Sequence, residues 1–303
     1  MIEFDTNLDN YENYIEKIVK SQIYSSRKSV TNSCPKCGCS HYIKYGKFKE
    51  IQRYRCKECG KTFSLVTNSI WSYSKKKPYK WVKFIEFMLE KRTLEYCADK
   101  LKISINTAFY WRHKVLHAMT FTNIPDSLTG KVHMIKISTK ENFKGNKHID
   151  TDVREKVFVV SARGKEDSIL CLPVCRKRWN MNKFNDRIYK RIDSKSIIIP
   201  YVDRYVHIIA KRHNEKVNDT KKEMDSEKIS NEFSNKDFDK LINSFYLVYK
   251  SWFSPFYGVA TKYLKRYFCW LIIYNLKKKF TNMGLFKELI LGQFYIKEEE
   301  ISI

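Results

Sequence analysis

The sequence predicts a multidomain chain in which a small cysteine-rich module and a helical region precede an α/β domain with a mixed sheet. Three observations carry this. Two Cys-x-x-Cys pairs lie close together, Cys34–Cys37 and Cys56–Cys59. Apolar stripes at helical spacing follow them. From about residue 130 the texture changes to short β-branched runs separated by helical stretches.

The elements can be justified in order. Residues 1–30 form an N-terminal segment in which Leu8, Tyr11, Tyr14, Ile15, Ile18, Val19 and Ile23 repeat at the spacing of one amphipathic helix. The cysteine module spans 31–66. Eighteen residues (38 to 55) separate its two pairs, the spacing of a four-cysteine zinc ribbon with Cys34, Cys37, Cys56 and Cys59 as ligands. Gly38 and Gly60 allow the sharp turns that aim two thiolates at one metal. The intervening Tyr42, Ile43, Tyr45, Phe48, Ile51 and Tyr54 suit a pair of small β-hairpins, too small to bury a core. Structural zinc would then supply most of the folding energy, on the order of 10 kcal/mol. Cys39 reads as a bystander thiol.

Residues 67–122 open on a basic linker, Lys75-Lys76-Lys77-Pro78, and a helix striped by Trp81, Phe84, Ile85, Met88 and Leu89. The run from Thr93 to Leu101, a turn at Lys102 to Ser104 and a helix from Ile105 to about Met119 form a helix-turn-helix pattern. Leu94, Cys97, Ala98 and Leu101 point inward, and Ser104 is the natural N-cap. The exposed start of the second helix would offer Ser104, Asn106, Thr107, Tyr110, Arg112 and Lys114 to DNA, with Lys102 and His113 beside them.

Residues 123–281 carry strands at 132–137, 157–162, 169–174 and 196–200, with helices over 180–192 and 204–213. Three strands, a helix, a strand and a helix are the order of an RNase H-like sheet. Residues 214–240 are nearly devoid of apolar groups and read as a flexible insert, with helices resuming at Phe238. Residues 282–303 read as a C-terminal tail.

Composition narrows the partners. The 303 residues carry a formal net charge of +25, which favours a polyanion, double-stranded DNA above all. Nine cysteines without a secretory signal suggest a reducing, cytoplasmic setting. The most apolar stretch, 267–274, is too short to cross a membrane. Only 9 glycines and no glycine-rich phosphate loop argue against nucleotide binding. Cys171 and Cys175, on one strand and facing one side, and Cys97 and Cys269, on helical apolar faces, read as core thiols.

Three segments together resemble a known family. They are Cys34 to Phe63, the helix-turn-helix at 93–119, and Phe256-Tyr-Gly-Val-Ala-Thr-Lys-Tyr-Leu264 with Tyr267 and Trp270. They are similar to bacterial insertion-sequence transposases of the ISXO-like group, which join a zinc ribbon and helix-turn-helix to an RNase H-like nuclease. The resemblance, covering about residues 31 to 275, implies binding of insertion-sequence ends and strand cleavage and transfer. That chemistry uses two Mg²⁺ ions about 4 Å apart, held by carboxylates of the DDE type.

The family motif Phe143-Lys144-Gly145-Asn146 is intact, yet the position of the first aspartate holds Ile135, followed by Lys136. The second aspartate position is Tyr201, and the third site aligns with Asn243 and Tyr246. No residue is therefore assigned a catalytic role, and Mg²⁺ is expected only if the nuclease site survives. The resemblance thus implies a degenerate copy that folds, binds zinc and DNA, and does not cut. Two alternatives stand beside it. One is an active transposase recruiting displaced acids such as Asp203 and Glu141, which, with Asp239, otherwise read as solvated surface charges. The other is a repurposed DNA-binding regulator. A homodimer is compatible with all three.

Overall fold

The computed structural model describes residues 32–48, 51–122, 124–144, 153–165, 168–201, 203–222, 251–256 and 258–276, with isolated positions at 14, 17, 21, 249, 289, 296, 297, 300 and 301. The chain divides into two compact units, one of residues 1–122 with 278–303 and one of residues 123–277. Within the first unit, the proposed tail is therefore grouped with the N-terminal half, and Leu289, Ile296 and Ile301 are buried.

The first unit begins with a three-stranded antiparallel sheet, β1 (Tyr42–Phe48), β2 (Ile51–Cys56) and β3 (Thr62–Ser64), in the order β1-β2-β3. Alternation selects Tyr42, Tyr54 and Phe63 for one face, where the rings meet at 5.3–5.6 Å beside Cys34 and Cys56. The connection that follows is not a loose tether. Ser69, Ile70, Trp71 and Ser72 are buried, and the Trp81 indole N–H donates to Ser74 Oγ at 3.1 Å.

Three helices follow: α1 (Pro78–Leu89), α2 (Leu94–Leu101) and α3 (Ile105–Thr122). Pro78 starts α1 where its missing N–H costs nothing. Thr93 Oγ1 caps α2 by accepting from Tyr96 N at 3.2 Å. Lys102 takes a left-handed conformation (φ 49) that ends α2 and turns the chain towards α3. Trp111 of α3 stacks on Trp81 of α1 at 4.0 Å and meets Phe84 edge-on at 5.5 Å, joining the first and third helices.

The second unit is a mixed four-stranded sheet. Its strands β4 (Lys131–Lys140), β5 (Lys156–Arg163), β6 (Ile169–Arg176) and β7 (Ile197–Tyr201) lie in the order β6-β5-β4-β7. The first three run antiparallel, and β7 joins β4 in parallel after helix α4 (Met181–Arg187) and a short 3₁₀ turn at Tyr189–Arg191. One face carries the core: Val132, Met134, Val160, Ala162, Leu170 and Leu172 pack with Phe184 and Ile188, and with Val206, Ile209 and Ala210 of α5 (Arg204–Lys222). Helix α6 (Leu264–Leu276) packs against β6.

Two expectations are corrected here. Helix α5 continues to Lys222, so residues 214–222 belong to a helix rather than an insert. Asn214 explains the extension. Its amide clamps Ile198, accepting from the backbone N at 2.9 Å and donating to the carbonyl at 2.8 Å, and Val217 beyond it is buried. The rest of the insert, 223–240, lies outside the described residues, as does most of the N-terminal helix. Cys171 and Cys175 do not share a side. A bulge opposite Phe158 and Val159 puts Cys175 into the core cluster, while Cys171 lies beside Ser161 and Cys269. All three of these thiols, and Cys97, are buried, as a core role requires.

Candidate metal centre and nucleic-acid interface

The two cysteine knuckles repeat one backbone design. In each, the first cysteine's carbonyl accepts from the glycine four residues on (Gly38 N to Cys34 O, 2.8 Å; Gly60 N to Cys56 O, 3.1 Å). Its N–H donates across the turn, Cys34 to Cys39 O at 2.7 Å and Cys56 to Lys61 O at 3.0 Å. Both glycines have positive φ, 73° and 67°, which a side chain would strain.

The consequence is a cluster of four sulfurs. Cys34 Sγ lies 3.7 Å from Cys59 Sγ, Cys37 Sγ 3.6 Å from Cys56 Sγ, and all four lie within 4.8 Å of one another. Tetrahedral zinc with Zn–S bonds of about 2.3 Å demands sulfur separations of about 3.8 Å. The donor set therefore fits structural zinc. The backbone N–H of Cys59 leads the effects that lower the Cys56 thiol to about 7, against the upward push of burial. Cys37 is pushed up to about 12: a backbone hydrogen bond from Cys39 lowers it, but burial and its three sulfur neighbours outweigh that. Four crowded thiols do not ionise together unaided; a divalent cation lets them. Cys39 is less isolated than its spacing implies, because its sulfur gathers with His41 and Glu58 within 4.8 Å. That set is solvent-open and lacks the fourth protein ligand of a structural centre.

The start of α3 presents part of the expected DNA-facing set. Ser104 Oγ accepts from Thr107 N at 3.1 Å and so caps the helix, and Ser104 and Asn106 are exposed while Thr107 and Tyr110 are half-buried. Arg112 and Lys114 are not on that face. Residues 111–116 are all buried, and Arg112 Nη2 donates to the Arg92 carbonyl at 2.7 Å. His113 is likewise buried, at 1% exposure. The middle of α3 is enclosed all round, which leaves its first turn and a half, and Phe121 near its end, facing outward. Sequence reasoning extended the polar face by helical spacing alone and missed that the guanidinium satisfies a backbone carbonyl.

In the sheet, Ile135 and Tyr201 are register partners on adjacent parallel strands, so two of the positions where the resemblance placed carboxylates do meet. Among the described residues no carboxylate joins them. His133, two residues before Ile135 and on its face, has Nδ1 2.6 Å from Tyr201 Oη. Burial, then Arg163 and Lys131, depress the imidazole below its usual value, and burial pushes the phenol up to about 12, so the pair is held neutral. Tyr246 and Asn243 lie outside the described residues. Among the described residues, no group of three metal-ligating side chains gathers in this sheet. Ile135 and Tyr201 themselves supply no carboxylate to a pair of Mg²⁺ ions.

The two acids nearest at hand are neither solvated nor spare. Asp203 Oδ1 caps α5, accepting from Tyr205 N at 3.0 Å and Val206 N at 3.2 Å, and its Oδ2 pairs with Lys136 Nζ at 2.6 Å. The same ammonium lies over the Trp179, Tyr205 and Phe158 rings at 4.6, 4.7 and 5.2 Å. Lys136 thus has an internal anion and an aromatic cage of its own. Glu141 is buried at 6% exposure and pairs with Arg176 at 3.2 Å. Asp239 lies outside the described residues.

The segment from Phe256 also meets the stretch around the Phe143–Asn146 motif. Thr261 N donates to Asn142 O and Asn142 N to Thr261 Oγ1, both at 2.8 Å, while Lys144 Nζ reaches Phe256 O at 3.2 Å. Gly258 (φ 90) makes this docking feasible, since a Cβ there would sit 2.4 Å from Asn142 Nδ2.

No family model matches the chain, and no solved structure matches it. Among curated proteins it is similar to an uncharacterized protein in the transposable element ISH50 of Halobacterium salinarum, with 25% identity over 132 residues. The match covers 43% of this chain and 44% of that protein, so it spans less than half the length of either.

Proposed function

We propose that this chain is a transposase-derived DNA-binding protein that grips insertion-element end DNA through its cysteine module and helix-turn-helix and does not cut it. The likeness to a transposable-element protein supports the lineage. The sheet order β6-β5-β4-β7, with β7 parallel to β4, supports an RNase H-like domain as its second unit. The observation that carries the loss of cleavage is the pairing of Ile135 with Tyr201 beside two acids already committed, Asp203 to Lys136 and Glu141 to Arg176. Two-metal strand cleavage requires anionic oxygens around the cations; recruiting Asp203 would strand the caged Lys136 ammonium, and Glu141 is already paired with Arg176.

Readout belongs to Asn106, Thr107 and Tyr110 at the start of α3, with Ser104 as cap. Arg112 and Lys114 act from inside the unit. The test is a binding and nicking assay of the full chain on element-end duplex with Mg²⁺ or Mn²⁺. Binding without nicking is expected, and Asn106→Ala should reduce discrimination between end and scrambled duplex by about tenfold or more, the loss of one base contact. Metal-dependent nicking by the purified chain, or no preference for end DNA, overturns the proposal.

A further inference from the structure

At the β6 edge of the sheet, a cleft of about 520 Å³ runs along β6 between α4 and the start of α6. Arg176, Lys183, Arg187, Arg191, Lys262 and Lys265 line it, drawn from β6, α4, the 3₁₀ turn that follows, and the approach to α6. Asp186 is the one carboxylate among the described lining residues and is paired with Lys190 at 2.7 Å, while Arg176 also pairs with Glu141 at 3.2 Å and Arg191 with Asp126 at 3.8 Å. Pro173 sits in the edge strand and denies a second strand one of its hydrogen bonds, while Arg187 Nη1 occupies the Pro173 carbonyl at 2.7 Å. The edge is therefore closed to another β-strand and open to anions.

We propose that this cleft holds the sugar-phosphate backbone of DNA, as a second contact that is blind to sequence; the inference rests on the DNA-binding reading above. The chemistry selects the backbone over the bases. The remaining described lining is aliphatic with Cys175 and Thr261, and none of the described lining residues is an aromatic that could stack a base. Guanidinium and ammonium groups from both walls instead match a row of phosphates. Contacts of this kind position a duplex, and base-edge contacts elsewhere choose it.

The experiment measures affinity of the full chain for element-end and scrambled duplexes over a salt series. Lys183→Ala/Lys265→Ala removes one exposed cation from each wall. About two units of salt slope should be lost and affinity at moderate salt should fall about tenfold or more, equally on both duplexes. Lys183→Gln alone should remove about one unit, a check with minimal perturbation of the fold. Steep, unchanged slopes in both variants overturn the cleft and leave the DNA-binding reading standing. A changed ratio between the two duplexes overturns sequence blindness. Wild-type protein that binds neither duplex overturns both this inference and the reading beneath it.

Discussion

The cysteine module and the strand-end site of the sheet are the two places where metal chemistry is at stake, and they differ in what holds them folded. The module has three short strands and a cluster of Cys34, Cys56 and Phe63 as its buried apolar centre. Its ligands are therefore its folding residues. The α/β unit has a core running from Leu128 to Ala210 that is independent of any ion. Ile135 and Tyr201 can therefore stand at its strand ends without any ion to hold the fold. Losing a metal site unfolds an element that has no other core and leaves one with its own core standing.

The largest effect should come from removing zinc. Chelation, or Cys56→Ser, should take on the order of 10 kcal/mol from the module and expose the amides of β1–β3 to rapid exchange. The amides of β4–β7 should keep their protection. Hydrogen exchange of the intact chain reads both regions at once. A module still protected without metal breaks the comparison.

Glycines sharpen it next. Gly258→Ala combines a positive φ with a clash against Asn142 and should cost about 2–4 kcal/mol, lowering Tm of the α/β unit. At Gly38 nothing lies within 4 Å of an added Cβ, so alanine there meets only the cost of its positive φ, about 1 kcal/mol. Equal losses at the two sites would show that the docking of Asn142 on the 258–261 segment carries no weight.

The Lys136–Asp203 pair comes third. Asp203→Asn keeps much of the cap on α5 but leaves the Lys136 ammonium without its anion, 10% exposed, at a cost of about 1–3 kcal/mol. Lys136→Met/Asp203→Asn should recover part of that loss, since no orphaned charge remains. Millimolar Mg²⁺ should leave Tm of the wild-type unit unmoved, because a ligand that binds only the folded state must raise it. A rise in Tm that Asp203→Asn abolishes would return the acid to a metal.

The sequence made the ligands and the strands legible for different reasons. Cysteine spacing is a local signature, and β-branched alternation marks β4 to β7 within a few residues of their ends. Arg112 and Lys114 were misplaced because helical spacing says which residues share a face, not which face another element covers. Helix α5 was cut short because its last turns hold one apolar anchor, Val217, and the Asn214 clamp on Ile198 exists only in three dimensions. The bulge that turns Cys175 away from Cys171 leaves no mark in residue type. Nor does the grouping of residues 278–303 with the N-terminal unit, since chain return has no local signal.

The smallest effect tests the Ile135 site through acid. Burial, Arg163 and Lys131 hold His133 below its unfolded value of about 6.5. Between the two values the unfolded chain binds more protons than the folded one, so stability rises with pH and falls as pH drops below about 6.5. A cluster of crowded carboxylates would behave oppositely, because repulsion raises their proton affinity in the fold and acidification relieves it. Denaturant titrations of the α/β unit at pH 5.5 and 7.5 should thus show lower stability in acid. His133→Gln, which keeps a polar neighbour for Tyr201 but does not titrate, should flatten that difference. A sheet that gains stability on acidification, or a slope untouched by the variant, would mean that acids rather than a neutral His–Tyr pair govern this end of the strands.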